Sequence, residues 1–133
     1  MESNFRRTKT TVSLLNYHFV FCPRYRRKIF KVNGVEDRVK QIITDVCKEL
    51  NIEIVAMECH IDHVHLFLNA LPTIAPSDIM HRIKGTSSRI IRKEFLQLSK
   101  MPSLWTRSYF VSTAGNASSE TIQKYVEEQK TRT

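Results

Sequence analysis

Two apolar runs, Ile52 to Cys59 and His63 to Leu71, stand only a few residues apart, and that closeness constrains the chain more than any other feature. Both have strand composition. A gap this short, centred on Ile61 and Asp62, calls for a tight antiparallel hairpin. Side chains alternate along a strand, so Val64, Leu66 and Leu68 fall on one face and His63, His65, Phe67 and Asn69 on the other. The aliphatic face needs an apolar layer to cover it, and the other face is left to carry polar and aromatic groups.

Helical spacing elsewhere supplies that layer. Asn33-Gly34 opens a helix whose apolar positions are Val35, Val39, Ile42, Ile43, Val46 and Leu50. Ser77-Asp78 can cap a second helix running to about Leu98, with Ile79, Ile83, Ile90, Ile91 and Phe95 inside and Gly85 as a weak point. Val12 to Cys22 reads as a strand that ends at Pro23, and Leu104 to Thr113 as a fourth strand. Gly115-Asn116 breaks that strand, and Ser118 can cap a last helix running to the C-terminus. Met1 to Thr11, polar and basic, is expected to form an arm. The order strand, helix, strand, strand, helix, strand, helix predicts an α+β chain: a ferredoxin-like antiparallel sheet with two helices on one face and an extra C-terminal helix. With 133 residues and no internal repeat, the expectation is a single domain over 1–133.

Charge narrows the function classes. Lys and Arg outnumber Asp and Glu by 21 to 13, a formal charge of +8, which favours a polyanionic partner, nucleic acid before a membrane surface. The longest apolar region is interrupted by Ser13, Asn16 and His18, well short of the roughly 18 apolar residues that a membrane span needs. Cys22, Cys47 and Cys59 are odd in number and lack C-x-x-C spacing, as expected of reduced thiols in a cytoplasmic protein.

Two fragments carry chemistry. His63 and His65 stand side by side about 7 Å apart along their strand, close enough for both rings to converge on one ion, although two histidines on a half-exposed strand are also ordinary. A structural zinc site built from Cys59, His60, His63 and His65 is an alternative that strand parity disfavours. His18 and His81 are expected to pack or to contact nucleic acid rather than to ligate. In the last helix Tyr125 and Gln129, four apart, neighbour each other on one face with Ile122 on the same side. Basic residues gather in three places. Arg24, Arg26, Arg27 and Lys28, with Tyr25 set among them, best fit a single-stranded nucleic acid, which binds in positive grooves with stacking aromatics. Arg6, Arg7 and Lys9 form a second group, and the third, Arg82, Lys84, Arg89, Arg92 and Lys93, best fits plain helix surface.

Asp62-His63-Val64-His65-Leu66-Phe67-Leu68 resembles the signature of HUH endonucleases. Tyr125-Val126-Glu127-Glu128-Gln129 resembles the nucleophile-bearing helix of their single-tyrosine transposases, from small bacterial and archaeal insertion sequences. The likeness extends to Tyr17 through Arg26, to Ile83 through Ser88, and to Leu104-Trp105 with Tyr109. It implies that Tyr125 attacks a DNA phosphate, leaving a 5′-phosphotyrosine and a free 3′-hydroxyl, and that His63, His65 and Gln129 hold a divalent ion. Two imidazoles and an amide oxygen suit Mg²⁺ or Mn²⁺ better than a closed zinc cage. A phenol ionises near pH 10, so it needs a polarised phosphate. The resemblance further implies single-stranded DNA with hairpin ends as substrate, and a homodimer in which the tyrosine helix acts in trans. The competing reading is a nucleic-acid-binding module on the same topology, but the chain lacks the stacking motif K/R-G-F/Y-G/A-F-V-x-F/Y.

Overall fold

The computed structural model describes residues 6–113 and 119–129. Six strands and three α-helices follow in the order β1 (Arg6–Arg7), β2 (Val12–Ser13), β3 (Leu15–Phe21), α1 (Val35–Glu49), β4 (Glu53–Cys59), β5 (Val64–Ala70), α2 (Pro76–Glu94), β6 (Phe110–Thr113) and α3 (Ser119–Glu128). β4, β5, β3 and β6 form an antiparallel sheet in that spatial order, the ferredoxin-like arrangement expected from the element order.

The hairpin at the centre of the sequence argument is present. Cys59 pairs with Val64, and His60 N–H donates to the His63 carbonyl at 2.8 Å, so the chain reverses over Ile61 and Asp62. Alternation along β5 also holds. Val64, Leu66 and Leu68 are fully buried with Phe19 and Phe21 of β3, under Val39, Ile43 and Val46 of α1 and Ile79, Ile83 and Ile91 of α2. Gly34 precedes α1 with φ at +88°, a left-handed conformation that disfavours a side chain. Phe95 packs there, 3.6 Å from where a Cβ would stand.

Four expectations require correction. The first strand divides into β2 and β3, and Arg6–Arg7 of the expected arm pairs with Val12–Ser13 in a small sheet of its own. The Arg6 guanidinium caps both Asn51 and Asn69, donating to the Asn51 carbonyl at 2.6 Å and to Asn69 O and Oδ1 at 3.1 Å. α2 begins earlier than expected, with Pro76 in its first turn and no side-chain cap, because the fixed φ of proline suits that turn and its missing N–H leaves nothing unsatisfied. It also ends earlier, at Glu94, since Phe95 is extended and the 3₁₀ turn Leu96–Leu98 follows.

The fourth strand is shorter than expected, starting at Phe110. Residues 104–106 instead place donors on α2 and on the residue that follows β3. Leu104 N–H donates to Ser88 Oγ at 3.0 Å, Trp105 Nε1 to Ser87 Oγ at 2.8 Å, and Thr106 N–H to the Cys22 carbonyl at 3.0 Å. Leu104 and Trp105 are thereby drawn into the core. Gly115, Asn116 and Ser118, expected to break the strand and cap the last helix, lie outside the described residues. No described helix is long and apolar enough to cross a membrane, and all three cysteines are free.

Candidate active site

The tight β4–β5 turn gathers imidazoles. Ring centroids of His63 and His65 stand 4.8 Å apart, and His60 joins them at 4.6 Å from His63 and 5.0 Å from His65. The potential ligand atoms of the three lie within 4.8 Å of one another. His63 and His65 therefore converge as their spacing suggested, with His60 as a neighbour. Cys59 faces away, packed against the aliphatic core, where burial pushes its thiol up to about 12. Parity thus removes the cysteine from the alternative zinc set while the turn keeps its histidine.

Each of the two motif histidines is held through its Nδ1. His63 Nδ1 donates to Asp62 Oδ1 at 2.9 Å, and Asp62 Oδ2 accepts from Arg26 Nε at 2.9 Å and Nη2 at 2.6 Å. Burial would raise the Asp62 carboxyl, but the bonds from His63 and Arg26 outweigh it and hold it below the ordinary carboxylate range. His65 Nδ1 lies 3.0 Å from Nε2 of His18 on β3, whose register partner is Phe67, on which it stacks at 4.1 Å between centroids. Burial, and then the neighbouring His63, His18 and His60, push His65 down to about 4 against a smaller opposing pull from Glu58. Burial also lowers His18, again with Glu58 opposing. His65 is therefore neutral at pH 7, the state a metal ligand requires. These contacts leave Nε2 of His63 and of His65 as the outward nitrogens.

With two helices expected on the aliphatic face, the sequence left the face of the histidines without a helix, but the structure places one there. α3 lies against that face: Val126 is buried with Val20 and Cys22, and Tyr125 and Phe110 pack beside them. Val20 is the β3 residue that pairs with His65. A row of rings connects the two groups, with centroid separations of 6.0 Å from Tyr125 to Phe110, 6.2 Å from Phe110 to His18 and 5.3 Å from His18 to His65.

Tyr125 and Gln129 are side by side, as i and i+4 require, and share Ser108. The Ser108 hydroxyl lies 3.2 Å from the Tyr125 hydroxyl and donates to Gln129 Oε1 at 2.8 Å, while Gln129 Nε2 donates to the Tyr125 carbonyl at 3.2 Å. Gln129 is 1% exposed. Both ends of its amide are engaged within the tyrosine group. Lys84 stands behind Ser108, its ammonium donating to the carbonyls of Arg107 and Ser108 at 3.1 Å each, and burial pushes it down to about 8.

The basic turn divides in two. Arg26 is paired with Asp62 and so braces the histidine support, with its side chain only partly exposed. Arg27, Lys28 and Tyr25 are exposed, and the Arg24 guanidinium lies 5.8 Å from the Tyr25 ring centroid while donating to Ser103 Oγ at 3.0 Å. Tyr25 and Arg26 both take positive φ, at 59° and 54°, the left-handed conformation uncommon for residues with side chains. Within the third cluster, Arg82 pairs with Glu49, Arg92 bonds to the carbonyls of Ser88, Met101 and Pro102, and Lys84 is buried, so it is more than helix surface.

Sequence reasoning placed His60 only in the disfavoured zinc set, and it missed His18 and Asp62 as supports, and Ser108. For His60 a signal existed, since a two-residue turn brings i and i+3 together. For His18 and Ser108 there was none, because strand register and the 104–109 path are set by tertiary contacts.

Residues 11–129 match the family described as "Transposase IS200 like". The ISDra2 transposase TnpA of Deinococcus radiodurans is 36% identical over 118 residues, 86% of this chain and 84% of that protein. The transposase for insertion sequence element IS200 of Salmonella typhimurium is 35% identical over 117 residues, 85% of this chain and 75% of that protein. A Deinococcus radiodurans R1 crystal structure assigned to a transposase superposes with a TM-score of 0.85 at 32% identity, over 93% of this chain and 97% of that one. A REP-associated tyrosine transposase bound to a REP hairpin shares the fold, with a TM-score of 0.59 at 14% identity over 95% of this chain and 69% of that one. The match spans the hairpin histidines, the tyrosine helix and the sheet that carries both, and the chain belongs to the IS200-like family of single-tyrosine HUH transposases.

Proposed function

We propose that this transposase cleaves and rejoins single-stranded DNA at the ends of an insertion sequence, with Tyr125 as nucleophile and His63, His65 and Gln129 as ligands of a divalent ion, Mg²⁺ or Mn²⁺. The reading rests on one observation: Tyr125 and the histidine cluster occupy the same sheet face, joined through Phe110 and His18. The donor set fits a dication, because the Asp62 and His18 contacts use Nδ1 of each motif histidine and leave Nε2 available. When bound, such an ion polarises the scissile phosphate. Tyr125 Oη then forms the bond to phosphorus as the bond to the 3′ oxygen breaks, the phenol loses its proton and the departing 3′ oxygen gains one. The phosphodiester energy remains in the tyrosyl link, so attack by another 3′-hydroxyl reverses the step without a nucleotide cofactor.

Arg27, Lys28 and Tyr25 on the exposed side of the basic turn, with Arg24 behind Tyr25, suit phosphates and a stacked base. A hairpin-bearing strand is the substrate this reading favours, in line with the hairpin bound by the REP-associated neighbour. Affinity should fall with salt at a slope of about −0.7 per phosphate contact. The reading extends to a homodimer in which α3 serves the partner's histidines.

Incubation with flanking single strands and Mn²⁺ or Mg²⁺ should give a covalent adduct on a denaturing gel, and no adduct in either ion would refute the chemistry. Mixing Tyr125→Phe with a His63→Ala, His65→Ala protein should restore about a quarter of wild-type sites if α3 acts in trans, since half the dimers are mixed and each carries one complete site of two. An inactive mixture with proven subunit exchange would place the tyrosine in cis.

A further inference from the structure

His60 belongs neither to the alternating face of β5 nor to the ligand set just proposed, yet it completes the tightest group of potential metal ligands among the described residues. It occupies the first position of the four-residue 60–63 turn, fixed there by its own N–H bond to the His63 carbonyl. Its ring stacks on His63 with an interplanar angle of 16° and meets His65 nearly at a right angle, at 79°. Its side chain is 48% exposed, and its one polar side-chain contact among the described residues is a long one, 3.4 Å from Nε2 to Glu58 Oε1. Three imidazoles thus lie together at this turn, two held by Asp62 and His18 and the third half-exposed, with its stack on His63 and the long Glu58 contact to hold it.

Gln129 gives the complementary observation. Its amide oxygen accepts from Ser108 and its amide nitrogen donates to Tyr125, so in this conformation its donor is already in use and the protein is nearly closed around it. We propose that His60, with His63 and His65, forms a three-imidazole site that takes a late first-row dication such as Co²⁺ or Zn²⁺, with His60 holding the third position while Gln129 is bound to Ser108. This rests on the metal centre proposed above and adds a ligand to it. Nitrogen ligands around a tetrahedral ion with bonds of about 2.0–2.1 Å stand roughly 3.3 Å apart. The ligand atoms lie within 4.8 Å of one another, so closure needs a shift of about 1.5 Å and a turn of the His60 ring out of its stack on His63, both of which rotation of the exposed His60 side chain can supply. A third imidazole in place of an amide oxygen moves preference from Mg²⁺ toward the later metals of the series.

The test is a Co²⁺ titration of the full chain, free of DNA, followed by visible absorption and by competition with a chelating dye. The wild-type chain should bind one Co²⁺ with the intense absorption of low coordination number. His60→Ala should weaken Co²⁺ binding by about tenfold or more and dim the band as water replaces the imidazole, while Mg²⁺ affinity stays as in the wild type. Co²⁺ affinity and spectrum unchanged in His60→Ala, with His63→Ala unable to bind, would overturn His60 as a ligand and leave the metal centre standing. Wild-type Co²⁺ binding in both His63→Ala and His65→Ala would instead remove the metal centre itself. Circular dichroism of each variant establishes that the fold is retained, and a half-exposed turn residue such as His60 should tolerate the change.

Discussion

The two faces of the sheet are built from the same strands by opposite rules. Under α1 and α2, Val64, Leu66 and Leu68 meet apolar partners, aliphatic and aromatic, and all three are closed to water. On the other face the same strand carries His65, Phe67 and Asn69, each with a specific neighbour: His18 bonded to His65 and stacked on Phe67, Arg6 and Asn16 bonded to Asn69. The first face is specified by volume, so its members are interchangeable within limits of size. The second is specified by individual contacts, so one altered atom changes what it can do. Substitutions should therefore separate stability from chemistry along a two-residue period.

The largest effect should come from the chemical face. Tyr125→Phe removes one oxygen and should abolish the DNA adduct while the melting temperature and DNA affinity stay near those of the parent, and an adduct surviving in that variant rules out Tyr125 as the nucleophile. On the packed face, Leu66→Ala should cost about 2–5 kcal/mol of stability, measured by urea denaturation, because a fully buried side chain leaves a cavity between sheet and helices. A loss below about 1 kcal/mol would mean that this face is packed far less tightly than its burial implies.

Asp62→Asn should weaken metal binding about 10- to 100-fold with little change in stability, because a carboxylate bonded to His63 Nδ1 orients the ring and raises its basicity. Equal affinity in that variant would reduce Asp62 to an anchor for Arg26. The smallest effect concerns acid. An unfolded His65 takes up its proton near pH 6.5, whereas the folded one holds off until about 4. Between those values the unfolded chain binds more protons, so metal-free protein loses stability as pH falls through that window. His65→Gln should lose less, and parallel denaturation profiles for the two proteins at pH 7 and pH 4.5 would contradict this.

Legibility in the sequence followed the range of the interactions. The β4–β5 hairpin, the parity of β5, helix α1 and the i, i+4 pairing of Tyr125 with Gln129 all depend on neighbours within a few residues, and all are found as expected. The ends of α2 and the extent of β6 were misjudged for the opposite reason. Leu104 N–H and Trp105 Nε1 find their acceptors on Ser88 and Ser87, sixteen and eighteen positions away, and that competition draws residues 104–109 out of the sheet. Lys84 looked like solvated surface because periodicity records which side of a helix a residue occupies and says nothing of what loops cover that side.

By itself, then, the sequence determined which residues could share a face, since backbone geometry sets periods of 2 and 3.6 whatever the surroundings. It also determined the basic charge that suits a nucleic-acid partner and the block order that marks the family. Only the tertiary structure decided which faces meet. Register across β3 and β5 set His18 opposite Phe67 and diagonally beside His65, and the packing of Val126 on Val20 and Cys22 laid the tyrosine helix on the histidine face. Those contacts join residues tens of positions apart, and their geometry follows from how the layers pack, which no local pattern encodes.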